Sequence, residues 1–208
     1  MELKRYDLRI TFTEPLLGSA PCSPEVYKQF IESKKPDAIT EDESANVAER
    51  EEKGWTVFRS DENGIFLYDY VLRGFLKEAA AAMTGTKSAS EGMAAYKTKI
   101  NRWLFVLPRK LYLYQKANNA FAPAKTINPL ERPLRAMTMQ GPRVTLARSD
   151  QIEPGAFFTA KLIVLPLGQS EITVTRLLDW LSYGALNGIG QWRTGSYGRF
   201  EFDLKSEA

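Results

Sequence analysis

The apolar residues between positions 72 and 83 recur at the spacing of one face of an α-helix. They follow the pattern i, i+3, i+4, i+7, i+8 and i+11, in the order Leu72, Phe75, Leu76, Ala79, Ala80 and Met83. This pattern predicts an amphipathic helix whose apolar face is buried. A second helix is predicted later in the chain by the helical spacing of Val174, Leu177, Leu178, Leu181 and Ala185.

Alternation of apolar and polar residues predicts strands on either side of these helices. One strand covers 6–12 and another covers 200–204, and further strand-like runs lie at 103–106 and 156–165. The order along the chain is therefore strand, helix, strand, strand, helix, strand. This order predicts an α+β protein with a ferredoxin-like (RRM-like) βαββαβ core, in which an antiparallel sheet carries both helices on one face.

We expect a single ferredoxin-like domain over 1–208 with two insertions. The first insertion, 14–54, contains several prolines and then an acidic run, which predicts a long, mobile acidic arm. The second insertion, 130–150, has two short alternating runs about a Gln-Gly-Pro sequence, which predicts a basic β-hairpin.

The net charge of +3 hides a strong segregation of charge along the chain. Residues 41–52 carry a net charge of −5, whereas residues 97–148 carry eleven basic residues and one acidic residue. Aromatic side chains are interleaved with these basic residues, a mixture that suits phosphate neutralisation and base stacking. A solvated surface is the alternative interpretation of either block.

The composition excludes several kinds of active site. The chain has no histidine and one cysteine, Cys22. Ser-His-Asp and Cys-His sites are therefore impossible, and a thiolate zinc cluster or an internal disulfide is excluded. We assign no catalytic residue and expect no metal and no cofactor. The apolar runs are too short to span a membrane, and the start of the chain does not read as a signal peptide, so a cytoplasmic location without membrane contact is expected.

The most distinctive segment is a glycine-rich loop between the second helix and the last strand. Glycine permits positive φ and close approach of the backbone, so this loop can turn its amides toward a phosphate. Arg193 and Arg199 could complete such a site, and Trp192 or Tyr197 could stack on a base. The alternative is a tight connection that uses glycine for packing alone. The glycines in question are Gly188, Gly190, Gly195 and Gly198.

Two motifs resemble those of the RAMP superfamily, the RNA-binding proteins of CRISPR effector complexes. The sequence GIGQWRTGSYGRF at 188–200 resembles the glycine-rich loop near the carboxyl terminus of these proteins, and YVLRGFLK at 70–77 resembles the segment that opens their first helix. The resemblance implies that Arg73, Gly74 and Lys77 lie near RNA. It also implies that the basic hairpin corresponds to the thumb-like insertion of backbone subunits in this antiviral defence system.

We therefore expect a non-catalytic protein that binds single-stranded RNA, together with other subunits of a ribonucleoprotein complex or with copies of itself. One alternative is a metal-dependent endoribonuclease that holds Mg²⁺ through Asp37 or the acidic residues of 41–52. Another is a protein-interaction or assembly module whose acidic arm docks onto a basic partner. The expected RNA-binding residues are Gly188, Gly190, Gln191, Trp192, Arg193, Gly195, Tyr197, Gly198, Arg199, Arg73, Gly74, Lys77, Lys97, Lys99, Arg102, Arg135 and Arg143.

Overall fold

The fold was analysed in a computed structural model that describes residues 3–22, 55–84, 93–117, 120–138, 141–166 and 171–207. Most of the expected acidic arm, including Asp37 and 41–52, lies outside these residues. The hairpin side chains of 134–138 and 141–145 also lie outside the described part, so Arg135 and Arg143 are placed by their backbone alone.

Three α-helices occur in the described residues: α1 (Asp69–Met83), α2 (Tyr96–Trp103) and α3 (Val174–Asn187). Helices α1 and α3 contain the two predicted apolar stripes. The stripe of α1 is buried as predicted except for Met83, which is half-buried. The stripe of α3 is narrower, because Val174 and Leu178 are exposed and Trp180 and Gly184 complete the buried face instead.

Strands make up the rest of the regular structure. In chain order they are β1 (Lys4–Phe12), β2 (Leu16–Leu17), β3 (Ala20–Pro21), β4 (Trp55–Val57), β5 (Arg59–Asp61), β6 (Gly64–Tyr68), β7 (Leu104–Leu107), β8 (Lys110–Tyr112), β9 (Tyr114–Ala117), β10 (Ala120–Pro123), β11 (Thr126–Thr138), β12 (Gly141–Ile152), β13 (Phe157–Val164) and β14 (Phe200–Ser206).

The largest sheet has the strand order β10-β9-β13-β1-β14, and β7 also pairs with β13. Strand β1 is antiparallel to both of its neighbours, so that Ile10 lies opposite Phe158 on β13 and Phe202 on β14. Among the described pairs, only β4 and β12 run parallel. The structure is therefore a mixed α/β fold built mainly on antiparallel sheets.

The core lies between this sheet and the helices. Leu8, Ile10 and Phe12 alternate with more exposed residues along β1 and are buried, because successive side chains point to opposite faces of a strand. The ring of Phe75 on α1 meets Phe200 on β14 edge to face, with 5.7 Å between the ring centroids. Gly184 on α3 allows this contact, because a Cβ there would lie 2.0 Å from the Cζ atom of Phe75.

Strands β11 and β12 form a long two-stranded ribbon that contains the segment predicted as a hairpin. They pair from Thr138 opposite Gly141 down to Thr126 opposite Ile152. The ribbon covers 126–152 and is longer than the predicted 130–150. Pro129 interrupts the alternation of apolar and polar residues at its start, so the sequence pattern does not indicate a strand there. A register shift between Ile127 and Leu130 accommodates Pro129, in accord with the preference of proline for bulges and edge strands.

The two helical glycines provide a test of this packing. We expect Gly184→Ala to lower the free energy of unfolding by about 1–3 kcal/mol, because the added methyl group overlaps the Phe75 ring. Gly74→Ala is the matched change in α1, where a Cβ meets nothing within 4 Å, and it should raise the free energy of unfolding by up to about 1 kcal/mol. Urea unfolding followed by circular dichroism measures both. Changes of the same sign would contradict the described packing of α3.

Candidate nucleic-acid interface

The glycine-rich loop, 188–199, is closed at its base by contacts between backbone segments. The N–H of Ile189 donates to the C=O of Gly198 over 2.9 Å, and the N–H of Gly198 donates to the C=O of Pro15 over 2.9 Å. A Cβ at 198 would lie 1.9 Å from the oxygen of Ile189, and one at 188 would lie 2.4 Å from the oxygen of Tyr197. Packing within the chain therefore accounts for Gly188 and Gly198.

The other two loop glycines differ in their surroundings. Gly190 is exposed with a φ of +94°, a backbone conformation that L side chains rarely adopt. Gly195 belongs to a short 3₁₀ turn, Arg193–Gly195, and lies directly against the indole of Trp192. Gly190 thus sets the path of the chain as it leaves the closed base, and Gly195 makes room for the indole.

The backbone amides of 190–194 are the notable feature of this loop. Among the described residues, no protein acceptor receives a hydrogen bond from any of these five N–H groups. The residues themselves are exposed or half-exposed. Successive N–H groups that are not used by the fold can converge on an anion. In this structure the N–H groups of 190–194 are therefore open to solvent or to a ligand.

A shallow pocket of about 350 Å³ separates this loop from α1. The guanidinium of Arg193 lies across the pocket and forms an ion pair with Glu78 on α1. An Nη atom of Arg193 donates a hydrogen bond to the Glu78 carboxylate. The amide of Asn187 also donates to Glu78, over 3.4 Å. The charge of Arg193, which the sequence predicts to bind phosphate, is thus neutralised by Glu78. The sequence patterns do not indicate a functional role for Glu78. The pocket is lined by Ser19, Val71, Phe75, Glu78, Ile189, Gly190, Gln191 and Arg193.

The indole of Trp192 is 36% exposed and already has ring partners. It is stacked on Tyr197 with 5.0 Å between ring centroids and 17° between ring planes. The guanidinium of Arg132, from β11, lies 4.1 Å from the centroid of the same ring. Burial lowers the pKa of Arg132, although Tyr197 opposes this shift. Trp192 is therefore packed between the loop and the ribbon.

Gln191 ties the loop to the base of the ribbon. Its side-chain oxygen accepts hydrogen bonds from the hydroxyls of Thr56 on β4, over 2.9 Å, and Ser149 on β12, over 3.3 Å. Ser149 is buried, so its hydroxyl needs a partner within the protein. Gln191 thus has a structural role beside any role in ligand binding.

The exposed face of α1 continues the interface beyond the pocket. Helix α1 begins at Asp69, so Gly74 lies in its interior rather than in its first turn. Gly74 is exposed, and it neighbours Val71 and Glu78 on the helix surface because residues three and four apart are adjacent. Lys77 is half-buried, and Arg73 forms an ion pair with Asp69 at 2.5 Å. No packing contact within the described residues requires glycine at 74.

The remaining expected residues are dispersed. Lys97 and Arg102 are exposed on α2, and Arg199 is exposed beside β14. Lys99 is buried and forms an ion pair with Glu171 at 2.6 Å. The hydrogen bond from Lys99 is the main cause that lowers the pKa of Glu171, with a smaller contribution from Arg176. We therefore omit Lys99 from the interface, because its ammonium group is used within the fold.

The described residues contain no group of three or more histidine, cysteine, aspartate or glutamate side chains that could hold a metal ion. None of the described helices is long and apolar enough to cross a membrane.

Comparisons with known proteins found no matching family model and no matching curated protein. Solved structures that are similar to this chain at low identity include two that contain CRISPR proteins. One is described as the cryo-EM structure of the Type III-B Cmr-beta bound to cognate target RNA, with 11% identity and a TM-score of 0.46 over 99% of this chain and 61% of that chain. The other is a Type IV-B CRISPR complex, with 11% identity and a TM-score of 0.47 over 97% of this chain and 90% of that chain. This chain thus spans 61% of the length of the first.

The contacts of Gln191 make a prediction about stability. We expect Gln191→Ala to lower the free energy of unfolding by about 1 kcal/mol, because the Thr56 and Ser149 hydroxyls lose a shared acceptor but keep their mutual hydrogen bond of 2.9 Å. Thr194→Ala, an exposed change in the same loop, should stay within about 0.5 kcal/mol of the wild type. Urea unfolding measures both variants, and equal stabilities would contradict the structural role of Gln191.

Proposed function

We propose that this protein binds single-stranded RNA between its glycine-rich loop and α1, as a non-catalytic subunit of a CRISPR ribonucleoprotein complex of the RAMP type. The observation that carries the proposal is the run of five backbone amides, 190–194, that donate to no acceptor among the described residues. They belong to the segment whose sequence resembles the RNA-binding loop of that superfamily. Its partners would be RNA and either other subunits or copies of the same chain.

The topology supports a ferredoxin-like core as part of this proposal. Strands β14, β1, β13 and β7 are neighbours in that order, and each neighbouring pair is antiparallel. Helix α1 lies between β1 and β7 along the chain, and α3 connects β13 to β14. The element order is that of a βαββαβ unit, with the other strands as additions to it.

Backbone amides recognise phosphate and carry no information about base identity. An RNA held by the amides of 190–194 would therefore be bound largely independently of its sequence. The neighbouring cations would strengthen binding and make it dependent on salt concentration. This is the behaviour required of a subunit that holds RNAs of different sequence.

The Arg193–Glu78 ion pair has a definite place in this mechanism. Glu78 holds the guanidinium across the pocket, but its negative charge also repels a phosphate that approaches the loop. Both side chains are partly exposed, so the pair itself contributes little to stability. An RNA phosphate would therefore replace Glu78 as the partner of Arg193.

This exchange predicts opposite effects for two variants. Relative to wild type, Glu78→Gln should bind RNA more tightly, by about threefold to tenfold, because it removes the competing carboxylate. The double change Arg193→Ala and Arg199→Ala should weaken binding by about tenfold or more. Fluorescence anisotropy with a labelled single-stranded RNA of about 30 nucleotides, at low and moderate salt, measures both. Absence of wild-type binding at low salt would overturn the proposed function.

Gly74→Ala separates binding from stability. The change is expected to leave α1 at least as stable, since a Cβ there meets nothing within 4 Å. It should nevertheless weaken RNA binding by about threefold or more, because the methyl group occupies helix surface beside the pocket where the backbone is open to close approach. Anisotropy and urea unfolding on the same sample test this. Unchanged affinity would remove Gly74 from the interface.

A further inference from the structure

The basic side chains near the glycine-rich loop differ in whether a carboxylate neutralises them. Arg193 has Glu78, and Arg73 has Asp69. Arg132 on β11 has no carboxylate partner among the described residues. Its Nε atom is buried and donates no hydrogen bond within the described part of the chain. The Nε atoms of Arg73 and Arg148 are in the same state, so what distinguishes Arg132 is the lack of a carboxylate within ion-pair distance in the described part of the chain.

The energetics of Arg132 favour an anionic ligand. Removing a charged group from water is costly unless another charge or hydrogen bond compensates. Burial accordingly lowers the pKa of Arg132. The face of the Trp192 ring compensates in part through a cation–π contact, but it provides no acceptor for the buried Nε–H group.

The pairing of the ribbon places Arg132 on the side that meets the loop. Arg132 lies opposite Ala147 on β12, and alternation puts Ala147 and Ser149 on one face of the ribbon. Both of these β12 residues are buried, and Ser149 donates a hydrogen bond to Gln191 of the loop. The guanidinium contacts the ring of Trp192, and the backbone N–H of this residue belongs to the unused run of amides.

We propose that Arg132 and the amides of 190–194 form one anion site, and that this site holds a phosphate group of the RNA backbone. In this arrangement the Trp192 ring packs against the Arg132 guanidinium and does not stack on a base. The identity of the ligand as RNA rests on the proposed function, whereas the anion site itself can be tested without RNA.

Arg148 provides a matched control on the opposite face of the ribbon. Its guanidinium lies 4.2 Å from the ring centroid of Trp55, and its Nε atom is also buried without a hydrogen bond. Unlike Arg132, it has a carboxylate nearby, since Glu131 lies 3.7 Å away. Both arginines therefore lie on the ribbon and contact the face of a tryptophan ring, but only Arg148 has a carboxylate nearby.

The first experiment uses inorganic phosphate as the probe. The Tm of wild type, Arg132→Gln and Arg148→Gln is measured with rising phosphate concentration at constant ionic strength. A ligand that binds the folded state raises Tm, so wild type and Arg148→Gln should gain stability equally and Arg132→Gln should gain at most half as much. The general stabilising effect of phosphate on proteins is common to all three. Equal gains in all three proteins would overturn the anion site.

The second experiment uses the labelled RNA over a range of salt concentrations. Arg132→Gln should weaken binding by about tenfold and reduce the slope of log K against log salt by about 0.7, the value for one phosphate of a single strand. Arg148→Gln should stay within about twofold of wild type. Arg132→Lys, which keeps the charge but not the planar group on Trp192, should retain the slope and lose part of the affinity.

The outcomes separate the two proposals. Equal loss of affinity in Arg132→Gln and Arg148→Gln would overturn the role of Arg132 in RNA binding while leaving the proposed function intact. If wild type binds no RNA, the proposed function fails, and the phosphate series alone decides the anion site. Urea unfolding of each variant shows whether it is folded, and Arg132→Lys serves in place of Arg132→Gln if the latter does not fold.

Discussion

The close approach of two backbone segments at the base of the glycine-rich loop is the constraint on which the rest of the site depends. Ile189 and Gly198 are hydrogen-bonded there, and the space between them excludes even a methyl group at 198. Gly198 is bonded in turn to Pro15, just beyond the central strand β1. Residues 190–197 follow this closed base and belong to no strand. Their amides then have no strand to pair with, which explains why 190–194 find no acceptor among the described residues.

The loop is also where distant parts of the chain meet. Gln191 joins it to Thr56 and Ser149, and Trp192 joins it to Arg132. Arg193 joins it to Glu78 on α1. A displacement of the loop would therefore disturb the ribbon and the helix together, since each of these side chains would lose a partner. The glycine-rich segment is thus both an exposed surface and a junction between the two larger sheets of the described structure.

Periodic patterns in the sequence predict the helices and strands that bury one face. The apolar stripe of α1 and the alternation in β1 are examples, because burial of one face imposes a period on neighbouring residues. The pairing of charges follows no such period. Lys99 and Glu171 are far apart in sequence, so a count of positive charge over 97–148 does not reveal that Lys99 is already neutralised. Glu78 and Arg193 are likewise far apart. The aromatic character of Trp192 likewise suggests a stacking surface, but it does not reveal that Tyr197 and Arg132 contact the ring.

The closed base of the loop has a thermodynamic consequence. Glycines that are constrained at 188 and 198 lose their conformational freedom when the chain folds, not when a ligand arrives. A loop ordered in advance adds little entropic penalty to association, so more of the contact energy is expressed as affinity. Binding to such a loop should also lack the large negative heat-capacity change that accompanies coupled folding. In the proposed RNA complex the loop would therefore bind as a preorganised segment, unlike the segments of many RNA-binding proteins that fold only on contact with their ligand.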